Sequence, residues 1–179
     1  MTPNRLKDFT VQIRDALDAD LEGILEIYND AVQNSTAIWN DAVVDLDNRR
    51  AWLAERHGQN YPVLVAIDDD GQVAGYASFG PWRPHDGFRH TVENSVYVRP
   101  GQRGGGVGRS LMQALIKRAR ELHKHVMIAA IESENRASIH MHQQLGFIHA
   151  AQMRQVGCKF GRWLDLTMMQ LTLNRTSKP

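Results

Sequence analysis

Arg103-Gly104-Gly105-Gly106-Val107-Gly108 is the stretch of this chain with the clearest chemical content. Glycine at four of the five positions 104–108 costs backbone entropy, and it lets successive backbone N–H groups turn toward one anion. An apolar strand-like run ends just before it at Val98. A helical pattern, Val107, Leu111, Leu115, Ala119 and Leu122, begins within it. A glycine loop between strand and helix is a phosphate cradle, because the helix N-terminus adds its positive end. Two familiar versions do not fit. The P-loop pattern G-x-x-x-x-G-K-[ST] meets Arg103 at its first glycine and Arg109 at its lysine. The dinucleotide pattern G-x-G-x-x-G starts at Gly104 and Gly106 but meets Arg109 at its third glycine. The pattern [RQ]-x-x-G-x-[GA] fits in register, and it holds a diphosphate by backbone, without a metal.

Other reactive side chains carry less. His140-x-His142 and His123-x-His125 have a spacing that points the two rings to different helix faces, and no carboxylate or thiol completes either set, so no metal is expected. Cys158 is the single cysteine, excludes an intramolecular disulfide, and has no identifiable base beside it. Lys and Arg total 21 against 20 Asp and Glu, so there is no basic field to recruit nucleic acid or a membrane surface. The polar start, MTPNRLKDFTVQIRDA, lacks the apolar core of a signal peptide, and no run is long enough to span a bilayer. A cytoplasmic protein is expected.

The elements that would position these residues follow from periodicity. Residues 1–8 read as a flexible leader, 9–174 as one domain and 175–179 as a tail. Phe9, Val11 and Ile13 alternate as a short strand; Asp18 then caps a helix carrying Leu21, Ile24, Leu25, Tyr28, Ala31 and Val32. A second helix starts near Asp45 or Asp47 and ends at Gly58. Two β-branched runs joined by Asp70-Gly71 predict a hairpin, and PWRPHDGFRH predicts a loop before the strand TVENSVYV. After the glycine loop and its helix, HVMIAAIES reads as a buried strand. A short helix follows, capped by Ser133 or Asn135 and stopped at Gly146, then two strands around residues 157–163. The order predicts an α/β fold with hairpins in the first half and a parallel crossover in the second.

With the glycine loop and SENRASIHMHQQLGF in view, the chain resembles the GCN5-related N-acetyltransferases (GNAT), whose strand-loop-helix binds the pyrophosphate of acetyl-CoA. Within them it is similar to the phosphinothricin and methionine sulfoximine (or sulfone) acetyltransferases. IYNDAVQNSTAIWND, YASFGPWRPHDGFRHTVENSVYV and VGCKFGRWLDLTMMQL carry that likeness. The resemblance implies the GNAT acyl-CoA N-acyltransferase fold: a mixed, mostly antiparallel sheet with a splayed central strand pair and flanking helices. It implies acetyl-CoA as cosubstrate, held by Val96, Tyr97, Val98, Arg103, Gly104, Gly105, Gly106, Val107, Gly108, Arg109, Asn135 and Ser138. Glu93, the only carboxylate between Asp86 and Glu121, takes the matching general-base position, acting through water. His142 stands where many members place a tyrosine, as general acid or substrate contact. Arg83, Pro84, His85, Glu93, Asn94 and Ser95 fall where the acceptor binds, and a guanidinium such as that of Arg83 suits a carboxylate or phosphinate.

Several residues depart from the branch. His85 replaces a usual phenylalanine, Asn94 a frequent histidine, and Gly105 and Val107 a common Lys and Leu. The implied reaction is direct acetyl transfer to the α-amino group of a small amino-acid-like acceptor, in a homodimer. Its competitors are the same fold acting on a protein N-terminus, an antibiotic amine or a polyamine, and a sensor that binds acyl-CoA without turnover.

Overall fold

Residues 11–175 are described by a computed structural model of the chain; Phe9, the leader, and all but Arg175 of the expected tail lie outside them. Strand β1 (Gln12–Asp15) is followed by a single 3-10 turn, Asp18–Asp20, and helix α1 (Leu21–Asn34). Here the expected cap moves. Asp18 opens the 3-10 turn and α1 begins three residues later. The carboxylate of Asp20 is drawn away from capping by Arg14, at 2.6 and 2.8 Å, and by the Leu17 N–H at 2.7 Å. Burial of Asp20 works against its charge, but these donors outweigh it and hold its carboxyl below the ordinary range.

Helix α2 (Leu46–Gly58) starts at Asp45, whose side chain accepts from the Asn48 N–H at 2.9 Å. Strands β2 (Val63–Ile67) and β3 (Val73–Pro81) form the expected hairpin, with Gly71 at φ +76° in the turn. A second 3-10 turn, Asp86–Phe88, sits within the Pro- and Gly-rich loop, and β4 (Thr91–Val98) leads to the glycine loop. Then come α3 (Val107–Glu121), β5 (Val126–Glu132), α4 (Arg136–Gln144), and the hairpin β6 (Ile148–Lys159) and β7 (Arg162–Thr172). Of the two candidate caps for α4, Asn135 does the work, accepting from the Ser138 N–H at 3.1 Å.

The sheet order is β1-β2-β3-β4-β5-β7-β6, and β4 with β5 is the parallel pair, joined by the α3 crossover. Each sheet face buries its own core. On one side Leu111, Met112 and Leu115 of α3 pack on Leu64, Phe79, Val92 and Met127. On the other Leu21, Ile24, Ile27 and Leu53 of α1 and α2 pack on Val63, Val65 and Tyr76. Each fully buried aliphatic side chain of this kind contributes about 1.5–3 kcal/mol of transfer free energy, so both helix layers are anchored firmly to the sheet.

The pairing of β4 with β5 stops early. Thr91, Val92 and Glu93 pair with Val126, Met127 and Ile128, and no pair follows. Beyond that point β4 stays with β3 as far as Val98, and β5 stays with β7 as far as Glu132. Two adjacent strands thus hold to opposite neighbours and open a wedge between them. Splayed strands were expected from the resemblance; the structure has them, starting at Asn94 and Ala129.

Candidate active site

The wedge opens into a cavity of about 860 Å³ that reaches the glycine loop. Val96, Tyr97 and Val98 form one wall; Asn135, Ser138 and Met141 of α4 form another. The start of α3 and the segments 34–37 and Phe160 complete it. Of the twelve residues expected to hold the cosubstrate, every one except Gly105 lines this space.

The glycines are there for backbone geometry. Gly104 and Gly106 sit at φ +82° and +85°, and a Cβ added at either would meet nothing within 4 Å. Their requirement is the left-handed backbone, not crowding. Gly106 precedes α3 and supplies no side-chain cap. The Ser110 N–H, bonded to the Gly106 carbonyl at 3.0 Å, is the first with a partner inside the helix. The N–H groups of Val107, Gly108 and Arg109 are left for a ligand. This donor set, beside Arg103 and Arg109, fits the diphosphate of a coenzyme A thioester. Arg103 pairs with Asp30 at 3.7 Å, and Arg109 donates to Gln144 at 2.9 Å.

None of the six residues expected on the acceptor side lines this cavity; Arg83, Pro84 and His85 lie exposed in the loop after β3, while Glu93 and Ser95 lie on the face of β4 covered by α1 and α2. Glu93 is half-buried there; burial raises its carboxyl above the usual range, and the charge of Arg83 partly opposes this. Arg83 in turn lies over the Trp82 ring at 4.9 Å, and Trp82 and His85 both pack on Phe88. Tyr97 joins Tyr76 at a ring separation of 5.3 Å. Burial, with Tyr28 and Glu93 nearby, pushes the Tyr97 phenol up to about 12. Arg56 of α2 lies on Gly80, the β3 partner of Glu93: a Cβ at Gly80 would fall 2.9 Å from its guanidinium.

Strand alternation separates Asn94 from this group. Its side chain faces α4, where Nδ2 donates to the Ile128 carbonyl at 3.1 Å and Oδ1 meets His142 Nε2 at 3.3 Å. Asn94 thus spans the first step of the wedge in place of a missing ladder bond. His142 is 1% exposed, stacks edge-on against Phe147, and holds the Ser138 carbonyl at 2.8 Å through Nδ1. It does not line the cavity. Burial lowers its pKa, partly opposed by the Ser138 bond. The structure therefore brings Glu93 to Arg83, and His142 to Asn94, with the sheet between the two pairs. Among the described residues no group of three His, Cys, Asp or Glu stands where it could hold a metal ion. No helix among them is long and apolar enough to cross a membrane.

Thr36, Ala37, Glu132 and Phe160 are among the lining residues that escaped the sequence reading. Of these only Glu132 carried a signal, a carboxylate ending the otherwise apolar run VMIAAIE.

A sheet opened at its middle strands, with a glycine loop and a bare helix end beneath the opening, defines an acyl-CoA N-acyltransferase fold. The chain belongs to the acetyltransferase (GNAT) family, whose model matches residues 24–147. It is 64% identical over 167 residues to an L-methionine sulfoximine/L-methionine sulfone acetyltransferase of Pseudomonas paraeruginosa, covering 93% of this chain and 97% of that one. It is 39% identical to a phosphinothricin N-acetyltransferase of Alcaligenes faecalis, covering 90% and 82%. Among solved structures, an acetyltransferase of Salmonella typhimurium with its cofactor acetyl-CoA superposes with a TM-score of 0.92 at 57% identity, over 95% of this chain and 98% of that one.

Proposed function

We propose that the chain transfers acetyl from acetyl-CoA to the α-amino group of a small amino-acid-like acceptor, with methionine sulfoximine, methionine sulfone and phosphinothricin as the acceptors to try. The observations that carry this are the diphosphate cradle and, on the strand that leads to it, a half-buried Glu93 that feels the charge of the exposed Arg83. Acetyl-CoA, when bound, supplies a thioester that the free amine attacks and a thiolate that leaves. The protein's residues do the rest. Arg83 offers its guanidinium to the acceptor's carboxylate or phosphinate. Glu93 takes the proton that the ammonium loses, through a water, and its raised pKa suits that task near neutral pH. Backbone groups of Val96–Val98 that face away from β3 orient the thioester. His142, buried behind Asn94, is assigned a positioning role on α4.

We further propose a cytoplasmic homodimer that acts independently of nucleic acid and inactivates toxic amino-acid analogues. An exposed apolar hairpin supports the dimer, and the relatives' substrates support the inactivating role. The test is thiol release from acetyl-CoA with each of the three acceptors, beside spermidine and an N-terminal peptide, for the wild type and Glu93→Gln. Turnover confined to the amino acids, and about 100-fold or more slower in the variant, is expected. Turnover with the peptide or spermidine alone would move the chain to another acceptor class. Tight acetyl-CoA binding without any turnover would make it a sensor.

A further inference from the structure

Glu132 ends β5 and is 7% exposed, yet it lines the cavity. One carboxylate oxygen accepts from the Thr36 hydroxyl at 3.1 Å and the other from the Glu134 N–H at 2.9 Å. Among the described residues no basic side chain pairs with it, while its neighbour Glu134 is matched by Arg162 at 3.0 Å. Lys159, which also reaches this segment, donates to the carbonyls of Ser35 and Ile38 and feels Asp41. A buried carboxylate with no cation of its own is costly unless a positive group arrives to meet it.

Its place in the wedge indicates what that group is. Along β5, Met127, Ala129 and Ile131 belong to the core under α3, so Glu132 turns to the opposite face, the one shared by Glu93 and Tyr97. Extending the parallel register beyond Glu93 with Ile128 sets Val96 opposite Ile131 and Tyr97 opposite Glu132. Glu132 is thus one position from the level of Val96, where the thioester cradle begins, whereas Glu93 is three. Thr36 and Ala37 of the loop after α1 close the cavity beside it.

We infer that Glu132 is an acceptor-binding residue, holding the α-ammonium group of the acceptor beside the splay, with Thr36 steadying its carboxylate. The inference rests on the amino-acid acceptor reading. It divides labour between two carboxylates on the two splayed strands. Glu132 binds the ammonium, and Glu93 receives one proton through water, an N–H bond breaking as an O–H bond forms.

Glu132→Gln and Thr36→Val separate binding from mere tethering of the loop. With methionine sulfoximine as acceptor, Glu132→Gln is expected to raise the acceptor KM by about tenfold or more. The acetyl-CoA Kd and the melting temperature should stay close to the wild type. Inhibition by the deamino analogue of methionine sulfone should be equal in the two proteins, since it has no ammonium to lose. Thr36→Val keeps the carboxylate but removes the hydroxyl that steadies it, and should raise the KM by less than Glu132→Gln does. An unchanged acceptor KM in Glu132→Gln, a weakened acetyl-CoA Kd instead, or a Thr36→Val variant that reproduces the whole defect would each overturn the inference while leaving the proposed activity standing. Absence of wild-type turnover with any amino acid would overturn both.

Discussion

Half-buried Glu93 and buried His142 are titratable groups near the wedge, and their surroundings move them in ways that suit different jobs. Desolvation disfavours the charged form of each, so the carboxyl moves up toward neutrality and the imidazole moves down away from it. A base needs a pKa near the working pH and a path to the acceptor, and burial moves Glu93 toward the former, partly opposed by the charge of Arg83. His142 is enclosed by Asn94, Ser138 and Phe147, and its burial favours the neutral ring. The consequence for pH is specific. The acid limb of kcat/KM should lie above the ordinary glutamate value of about 4.3 and disappear in Glu93→Gln, with the residual rate flat across that limb. Stability moves the other way. Because the folded pKa is raised, wild-type stability falls as pH rises through that pKa, and the amide variant should melt no lower than the wild type above it. A variant that loses activity and melting temperature together would make Glu93 a structural residue.

At the scale of elements, the loop after α1 depends on the far hairpin. Trp39 donates from its indole to the Thr36 carbonyl at 2.8 Å, and its ring lies on Gly157 of β6. A Cβ at Gly157 would fall 2.1 Å from that ring, so only glycine admits the tryptophan. Gly157→Ala should therefore displace Trp39 and cost about 1–3 kcal/mol. Since Thr36 lines the cavity, it should also weaken the acceptor KM more than the acetyl-CoA Kd, readable by melting and titration on one preparation. Nothing local in the chain announces this contact, which joins positions far apart. What was legible had local causes. The turn at Asp70-Gly71, the cap at Asp45 and the glycine loop each follow from a few adjacent residues. Asp18 misled because Arg14 and the 3-10 turn hold the next acidic residue, Asp20, in a tertiary pair. Asn94 was grouped with Glu93 by the resemblance, and the two-residue period of a strand sets the two side chains on opposite faces. Glu132 was hidden for a similar reason: a carboxylate at a strand end is ordinary until the neighbouring strand turns away.

For the whole molecule, the open end of the sheet is the unresolved feature of its surface. Strand β6 is the edge of the order and is exposed from Ile148 through Val156. Edge strands that remain free are usually short, charged or interrupted by proline. This one spans twelve residues, IHAAQMRQVGCK, and has no proline. Ile148, Met153, Val156, Phe160 and Trp163 are all exposed on the same hairpin, Trp163 by 68%. An aromatic side chain can bury about 150–250 Å², and stable interfaces need about 1,200–2,000 Å² in total. Two copies of this hairpin, each with two aromatic and three aliphatic side chains, supply apolar area on that scale, which makes a second copy of the chain the occupant that fits. Phe160 lines the cavity as well as the hairpin surface, so a partner seated here would border the acceptor side of the site. Sedimentation equilibrium at micromolar concentration should return twice the mass of one chain. Trp163→Glu combined with Val156→Glu should return a single mass with its acetyl-CoA Kd intact, because the diphosphate cradle lies at the other end of the cavity. The acceptor KM should rise on dissociation, as Phe160 loses its cover. A wild type that sediments as a monomer would leave β6 an unprotected edge and remove the subunit boundary from the site.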